Sequence, residues 1–430
     1  MRQGRLEQDR GIVIRSVFAA ALGLGALASG AIAAELSIKG STSQTFDASN
    51  NYFLSTAPSG ATARSLSALN LDFLARTPTT DYDLRTNYSY YKYFGPGAVD
   101  TSPTSGTPAS VNFNVDHRAD PLTKFNFAAS WQRSDIASTQ LLQNGIVTAH
   151  GSVDTYNATA GVTRDITRRD SLSWQTQATT ASFSVPGQTP YDDVTSTGVW
   201  THRLSQTTSL INTASVNWDA QDDPAQDRRL FWTVKSGLQV KPTSRLTIDG
   251  AVGVNFLNAW QKNGGQANTP APPPTPGFPF SIPAPELQPG AGSSWLGNVG
   301  LTYQLLKHTQ VSLTAVRATT PTVLGNLQQS SSIAFNLRHD INYFSNFSIT
   351  AQFADITQGN TVSGILSGSG NVSGATTSDL FSAWATYEYR LTKELRTSFT
   401  YTYSQLNSIS GLAKSNTVTV YLTRDFTVLP

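Results

Sequence analysis

From about residue 65 to the C-terminus the chain repeats one unit: an alternating apolar–polar run, a short polar turn, a second alternating run and a longer Gly-, Ser-, Asn- and Pro-rich connection. In residues 81–93, Tyr82 and Leu84 fall on one face, whereas Asp83 and Arg85 fall on the other. A β-strand separates these side chains cleanly, whereas a helix would mix them. The chain is therefore predicted to be all-β.

The pattern predicts about 18 strands, each of roughly 10–14 residues, which exceeds the usual strand length of soluble proteins. Eight of the predicted connections span about two to five residues, and the nine between them span about nine to 35. An even number of long strands with this asymmetry is typical of a transmembrane antiparallel up-and-down β-barrel of 16–18 strands. We expect both termini and the short turns on the periplasmic side.

Residues 1–33 are predicted to be a signal peptide, because arginines precede an uncharged stretch that ends in Ala31-Ile32-Ala33. The barrel is then expected to span residues 34–430, in the outer membrane of a Gram-negative bacterium. The chain contains no cysteine, so neither disulfides nor thiolate metal sites are available to it.

Residues 258–292 hold nine of the prolines, including Pro272-Pro273-Pro274. Proline cannot donate a hydrogen bond to a strand ladder, so this stretch is predicted to be a long extracellular loop with polyproline character. A loop of this length is a candidate plug or lid for the barrel.

The polar face of the predicted strands is a wet surface, and a barrel of this size is wide enough to hold an aqueous channel. The candidate pore-lining residues on this face are Asp72, Arg85, Asn87, Lys124, Asn126, Gln175, Gln177, Lys235, Gln239, Asp249, Gln304 and Arg338. Neutral amides and hydroxyls dominate the face, and the charges are few and of both signs. We therefore expect a passive, porin-like channel for small hydrophilic solutes, with weak ion selectivity.

The predicted inner turns share a short sequence motif. Near the C-terminus it is Tyr389-Arg390-Leu391-Thr392-Lys393. Together with the stretch from Phe73 to Tyr82, it resembles the β-barrel porin 2 group of outer-membrane proteins. Members of that group often occur near exopolysaccharide-secretion genes. The resemblance implies the same barrel and leaves open an alternative: an occluded barrel with a structural or accessory role in exopolysaccharide secretion or at the cell surface.

The last predicted strand, Val418 to Phe426, resembles the C-terminal signal that the barrel-assembly machinery reads. Outer-membrane lipid and lipopolysaccharide are the other expected partners, and a homo-oligomer is left open. Residues 1–33 hold four basic and two acidic residues, so the remaining chain has 26 of each (30 − 4 and 28 − 2). This balance gives no sign of a nucleic-acid partner.

No catalytic constellation stands out, so the protein is not expected to be an enzyme or to use a cofactor. His150 near Ser152 and Asp154 is a weak hint of a hydrolase at the barrel rim, because such enzymes need a base within reach of the hydroxyl. The acidic residues Asp222, Asp223 and Asp227 are weak candidates for a calcium site. A solvated acidic loop is the favoured interpretation, so we predict no metal.

Overall fold

The computed structural model describes residues 35–100, 104–144, 147, 150–185, 188–222, 227–261, 290–321, 327–359 and 375–429. The predicted signal peptide lies outside these residues, as do Asp223 and most of the Pro-rich segment. None of the helices among the described residues has the length and apolar character needed to cross a membrane; this finding does not concern strands.

Nineteen strands account for most of the described chain, and eighteen of them form the wall of one barrel. Their bounds are β1 (Glu35–Ser49), β2 (Thr62–Arg76), β3 (Thr80–Phe94), β4 (Ser105–Gly106), β5 (Ala109–Asp120), β6 (Thr123–Asp135), β7 (Ser152–Asp165), β8 (Asp170–Phe183), β9 (Tyr191–Arg203), β10 (Thr208–Gln221), β11 (Asp227–Thr243), β12 (Leu246–Gln261), β13 (Gly290–Leu306), β14 (Thr309–Pro321), β15 (Leu327–Asp340), β16 (Ser345–Gly359), β17 (Ala375–Arg390), β18 (Leu395–Ser408) and β19 (Gly411–Leu429). The exception, β4, is a two-residue strand that pairs with β3.

Each wall strand pairs antiparallel with its neighbours along the chain, and β3 pairs directly with β5. The first and last strands then pair with each other, in a register that runs from Ile38 opposite Leu429 to Ser49 opposite Thr417. This pairing closes the sheet and leaves no exposed edge, as a strand structure in a membrane requires. The predicted closed 18-stranded antiparallel barrel is therefore confirmed.

The connections differ in length at the two ends of the barrel. At one end, here called the turn end, eight connections span two to four residues each. At the opposite loop end they span from two residues, between β18 and β19, to 28 residues, between β12 and β13. The predicted minimum of nine residues was wrong because the ladders continue beyond the alternating apolar segments. The Pro-rich connection is accordingly 262–289 rather than 258–292.

Two short helical segments lie in loop-end connections. A 3₁₀ segment spans Pro96–Asp100, and an α-helix spans Ile136–Asn144 between β6 and β7. We call the latter the loop helix. Its side chains pack against β7 and β8 through Ile136, against β3 through Ala137, and near β17 and β18 through Leu141. A single helix can reach strands on such different sides of a closed barrel only from inside it.

The strand face that the loop helix contacts is therefore the inward face, and it is the polar one. The outward face is apolar and exposed over large areas, with Val234 59%, Val252 65% and Trp295 60% exposed. Such an outer surface suits contact with lipid hydrocarbon. The predicted strand faces agree with this arrangement: the polar face points inward and the apolar face points outward.

Candidate functional site: the barrel interior

All twelve candidate lining residues lie on the inward face, distributed around the barrel rather than gathered in one cluster. The best-connected row crosses β1 to β3, where Asn87 donates to Asn70 at 2.6 Å and Asn70 donates to Ser41 at 3.1 Å. One level nearer the turn end, Arg85 and Asp72 stand opposite each other at 3.8 Å, with side chains 65% and 54% exposed. Exposed side chains on the inward face of a closed barrel indicate an accessible interior.

The other candidates follow the same face. Lys124 and Asn126 lie on β6, and Gln175 and Gln177 lie on β8. Gln239 stands opposite Asp249 across β11 and β12, with Lys235 two inward positions further along β11. At the turn end, Gln304 donates to the Leu306 carbonyl at 2.8 Å and Arg338 donates to Asp340 at 3.2 Å.

The interior is narrowed near its loop end by the loop helix and by residues 51–54, which follow β1. Asp135 caps the helix, because its carboxylate accepts the Ser138 N–H at 2.8 Å. Ile136 is fully buried against Val153 and Ala181. The sequence of the loop helix is short and mostly neutral, so tertiary packing rather than intrinsic propensity holds it in place.

Residues 51–54 form the second part of this constriction. The Asn51 amide donates to the Ser55 carbonyl at 2.7 Å and to the Lys414 carbonyl at 3.1 Å, which ties the turn to β19. Leu54 then packs against Leu406 and Ala413 on the inward face. Its backbone has φ 52°, a left-handed conformation that costs a non-glycine residue about 1–2 kcal/mol, so the apolar packing offsets local strain.

An aromatic cluster joins the turn to the wall. Phe53 and Tyr93 have ring centroids 5.7 Å apart, and Tyr91 and Tyr93 are 5.2 Å apart. The Tyr91 hydroxyl also donates to the Asp135 carboxylate at 3.3 Å, which links this wall to the cap of the loop helix. His150 stacks edge-on against Phe53 at 5.8 Å. Burial lowers the pKa of His150 below its ordinary 6.5, so the imidazole is neutral at pH 7.

A charge pair lies beside this cluster. The Arg64 guanidinium donates from Nε to the Asp47 carboxylate at 2.8 Å and lies 5.4 Å from the Tyr52 ring centroid. Asp47 also accepts from the Thr419 hydroxyl at 2.7 Å. Burial raises the pKa of Tyr52 well above its ordinary value, so the phenol stays neutral. Both partners of the ion pair are mostly buried, and their charges therefore largely cancel at the constriction.

A second buried pair lies at the loop end of β10 and β11. Arg229 Nε and Asp219 Oδ1 are 3.2 Å apart, and both side chains are 1% exposed. The neighbouring Asp193 carboxylate accepts a short hydrogen bond from Asn217, whose amide also donates to Thr195 at 2.6 Å. Removing one member of such a buried pair leaves the other charge uncompensated, so this network supports the wall rather than offering a free charge.

The remaining sequence candidates do not assemble into sites. Within the described ranges, no group of three or more His, Cys, Asp or Glu residues could hold a metal ion. Asp222 is exposed and Asp227 is buried. Asp154 accepts hydrogen bonds from Arg133 and Trp131, whereas His150 packs on Phe53. Asp154 is thus engaged by partners other than His150.

Sequence reasoning missed the constriction. Asp47 and Arg64, which lie on β1 and β2 and pair across them, are absent from the candidate lining residues. Tyr91 and Tyr93 were available as a signal, because they share the inward face with Arg85 and Asn87 and break its polar character. Trp384, which the pattern also places inward, was not included among the lining candidates.

Together, the closed 18-stranded wall, the apolar outward face and the polar interior define a transmembrane β-barrel of the outer-membrane type. No family model matches the chain, and no curated protein matches it. The resemblance to the porin 2 group is therefore not supported by a family match.

Solved structures resemble this fold. Pseudomonas aeruginosa OccK2 (OpdF) has a TM-score of 0.49 at 7% identity, over 92% of this chain and 99% of that one. Pseudomonas aeruginosa OccK8 (OprE) has a TM-score of 0.49 at 8% identity, over 92% and 99%. The FrpB iron transporter from Neisseria meningitidis has a TM-score of 0.48 at 8% identity, over 86% and 62%. At these identities the similarity concerns the fold.

Proposed function

We propose that the protein is a passive channel for small hydrophilic solutes in the outer membrane of a Gram-negative bacterium. The observation that carries the proposal is the polar inward face, where Arg85 and Asp72 remain more than half exposed although the sheet is closed. Polar side chains that stay exposed inside a closed barrel of this size favour a water-filled passage.

The constriction would set the size limit of this passage. The loop helix and residues 51–54 narrow the loop end, while the wall below them carries mainly hydroxyls and amides. The Arg64–Asp47 pair contributes little net charge at the constriction. We therefore expect selection by size and hydrogen bonding rather than by charge.

The test is single-channel recording of the purified protein in planar lipid bilayers. A channel gives stable current steps whose zero-current potential across a KCl gradient stays near zero. A protein that migrates as a folded, heat-modifiable barrel in gels but passes no current would contradict the proposal.

An occluded barrel with an accessory role in exopolysaccharide secretion is the second candidate. The observation that favours it is the loop helix, which packs against β8 through Ile136 and against the cluster of Leu54, Leu406 and Ala413 through Leu141, inside the barrel. Replacing Ile136–Asn144 with a Gly/Ser linker discriminates between the two. Current that appears only in this variant supports occlusion, whereas current in the unmodified protein supports the channel. A variant without residues 262–289 tests the Pro-rich segment as the lid in the same way.

The proposed location implies the remaining partners. β19 continues to Leu429 and pairs with β1, so its pairing completes the barrel, as expected of the strand that the assembly machinery engages. The apolar outward face is proposed to contact membrane lipid and lipopolysaccharide. A homo-oligomer is compatible with this arrangement, and crosslinking in membranes would reveal it.

A further inference from the structure

One tryptophan faces the interior. Trp384 lies on β17 between Ser382 and Thr386, with which it shares the inward face. The other seven tryptophans lie on outward strand positions: Trp131, Trp174, Trp200, Trp218, Trp232, Trp260 and Trp295. Trp384 is partly buried. An apolar ring in a polar wall calls for an explanation other than lipid contact.

The surroundings of Trp384 are rows of hydroxyls. The residues directly opposite are Thr350 on β16 and Thr402 on β18. Thr350 accepts a hydrogen bond from Asn336 at 2.7 Å. Hydroxyl pairs flank the ring above and below, with Ser382 and Ser404 at 3.2 Å and Thr386 and Thr400 at 2.9 Å. Hydroxyls and amides can both donate and accept, so the rows can exchange bonds with a polyhydroxyl ligand.

This part of the wall is electrically neutral. The inward faces of β15 to β19 carry charges only near the turn end, and the members of that set are Arg338, Asp340, Glu388, Arg390, Arg396 and Asp425. The charged candidates at middle levels, such as Arg85 and Lys235, belong to other strands. A ligand on the Trp384 wall therefore gains ring contact and neutral hydrogen bonds, but no ion pair.

Trp384 also lies on the path below the constriction. Leu380 belongs to the cluster of Leu54 and Leu406, and Trp384 follows four residues further toward the turn end. At about 3.3 Å per residue the separation is roughly 13 Å along the strand. A solute that passes the constriction thus meets the Trp384 wall next.

We propose that the inward wall of β15 to β19 is a binding subsite for neutral carbohydrate, with Trp384 as its stacking platform. The face of an indole carries negative potential, which favours contact with the C–H groups on one face of a pyranose ring. The sugar hydroxyls then bond to Thr350, Thr402 and the adjoining hydroxyl rows. This assignment rests on the proposed channel function and names its solute class.

The test adds maltohexaose to single channels of the purified protein and records interruptions of the current. The expected result is transient blocking by the sugar. In Trp384→Ala the apparent affinity falls about tenfold, mainly through shorter residence. Trp384→Phe keeps an aromatic platform and should lose less. Trp232→Ala is the matched control, because it removes an outward tryptophan of the same barrel, on β11.

The outcomes separate this subsite from the channel itself. Steady conductance without sugar-induced interruptions, or equal blocking in Trp384→Ala, would overturn the subsite and leave the channel intact. A folded protein without conductance would count against the channel; calorimetric titration with maltohexaose then decides the subsite. Heat release that Trp384→Ala abolishes and Trp232→Ala retains supports it, and no heat in the unmodified protein refutes it.

Discussion

A few apolar contacts hold the loop helix inside the barrel. Ile136 is the most deeply buried of the side chains that make them. This side chain is 0% exposed and packs against Val153 and Ala181 on the wall. Ile136→Ala removes most of that contact without changing charge or touching the strand ladder. The substitution should therefore loosen the loop helix while the barrel itself stays closed.

The size of the effect follows from the burial. Truncating a fully buried isoleucine to alanine costs about 2–5 kcal/mol, since both transfer energy and packing are lost. That cost reduces the equilibrium constant for docking of the loop helix by roughly thirtyfold to several thousandfold. A docking free energy of a few kcal/mol would then no longer keep the helix fully docked, and undocked states would become populated.

Single-channel recording is the assay, because undocking widens the passage. We expect Ile136→Ala to show larger or fluctuating current levels with unchanged heat-modifiability in gels. Ile341→Ala is the matched control, as Ile341 is 51% exposed in a turn-end connection. If Ile136→Ala and Ile341→Ala both gave the steady current of the unmodified protein, the loop helix would not border the conducting path.

Three further predictions concern charged and titratable groups. Arg229→Met leaves Asp219 buried without its cation and should lower the free energy of unfolding by about 3–5 kcal/mol, measured by urea-dependent gel mobility. Asp47→Asn leaves the Arg64 charge unbalanced at the constriction, so the zero-current potential in a KCl gradient should shift toward anion selectivity; no shift would show that Arg64 lies away from the ion path. Burial lowers the pKa of His150, so at acidic pH the folded loop binds fewer protons than the unfolded chain does. The free energy that keeps this loop folded is therefore at its full value above pH 6.5 and decreases as the pH falls toward the lowered pKa. Current fluctuations should therefore increase below pH 6.5, and His150→Phe should remove that dependence.

The strand pattern was predictable because the two faces of each strand meet different surroundings, with polar side chains on the inward face and apolar side chains on the outward face. Asp83 and Arg85 face water while Tyr82 and Leu84 face outward, and a shift by one residue would reverse every side chain. Arg85 stands opposite Asp72 as that alternation requires. The number of wall strands followed from the same rule applied along the chain.

The ends of the strands were less predictable, because they extend past the apolar band. β11 contains Pro242, beside an irregularity in its register between Val240 and Thr243, where a missing donor is tolerated. Pro321 is the last residue of β14. If proline is excluded from strands, the predicted ends of β11 and β14 therefore come too early.

The constriction could not be derived from local sequence. The loop helix packs against the clusters that contain Val153 and Leu406, two residues that are far apart in the sequence. Helix propensity alone does not mark Ile136–Asn144 as a helix. Trp384 was accessible in principle, since it shares the inward face with Ser382 and Thr386. An aromatic residue on a polar face is the signal that identifies such positions.

The most direct test of a water-filled interior uses two adjacent residues of β11. Lys235 faces inward, whereas Val234 faces outward and is 59% exposed. The chain has no cysteine, so Lys235→Cys and Val234→Cys each carry a single thiol. An anionic, membrane-impermeant thiol reagent should modify Lys235→Cys in the bilayer and reduce its current, and should leave Val234→Cys unmodified. Modification of Val234→Cys alone, or of neither, would contradict an interior open to water.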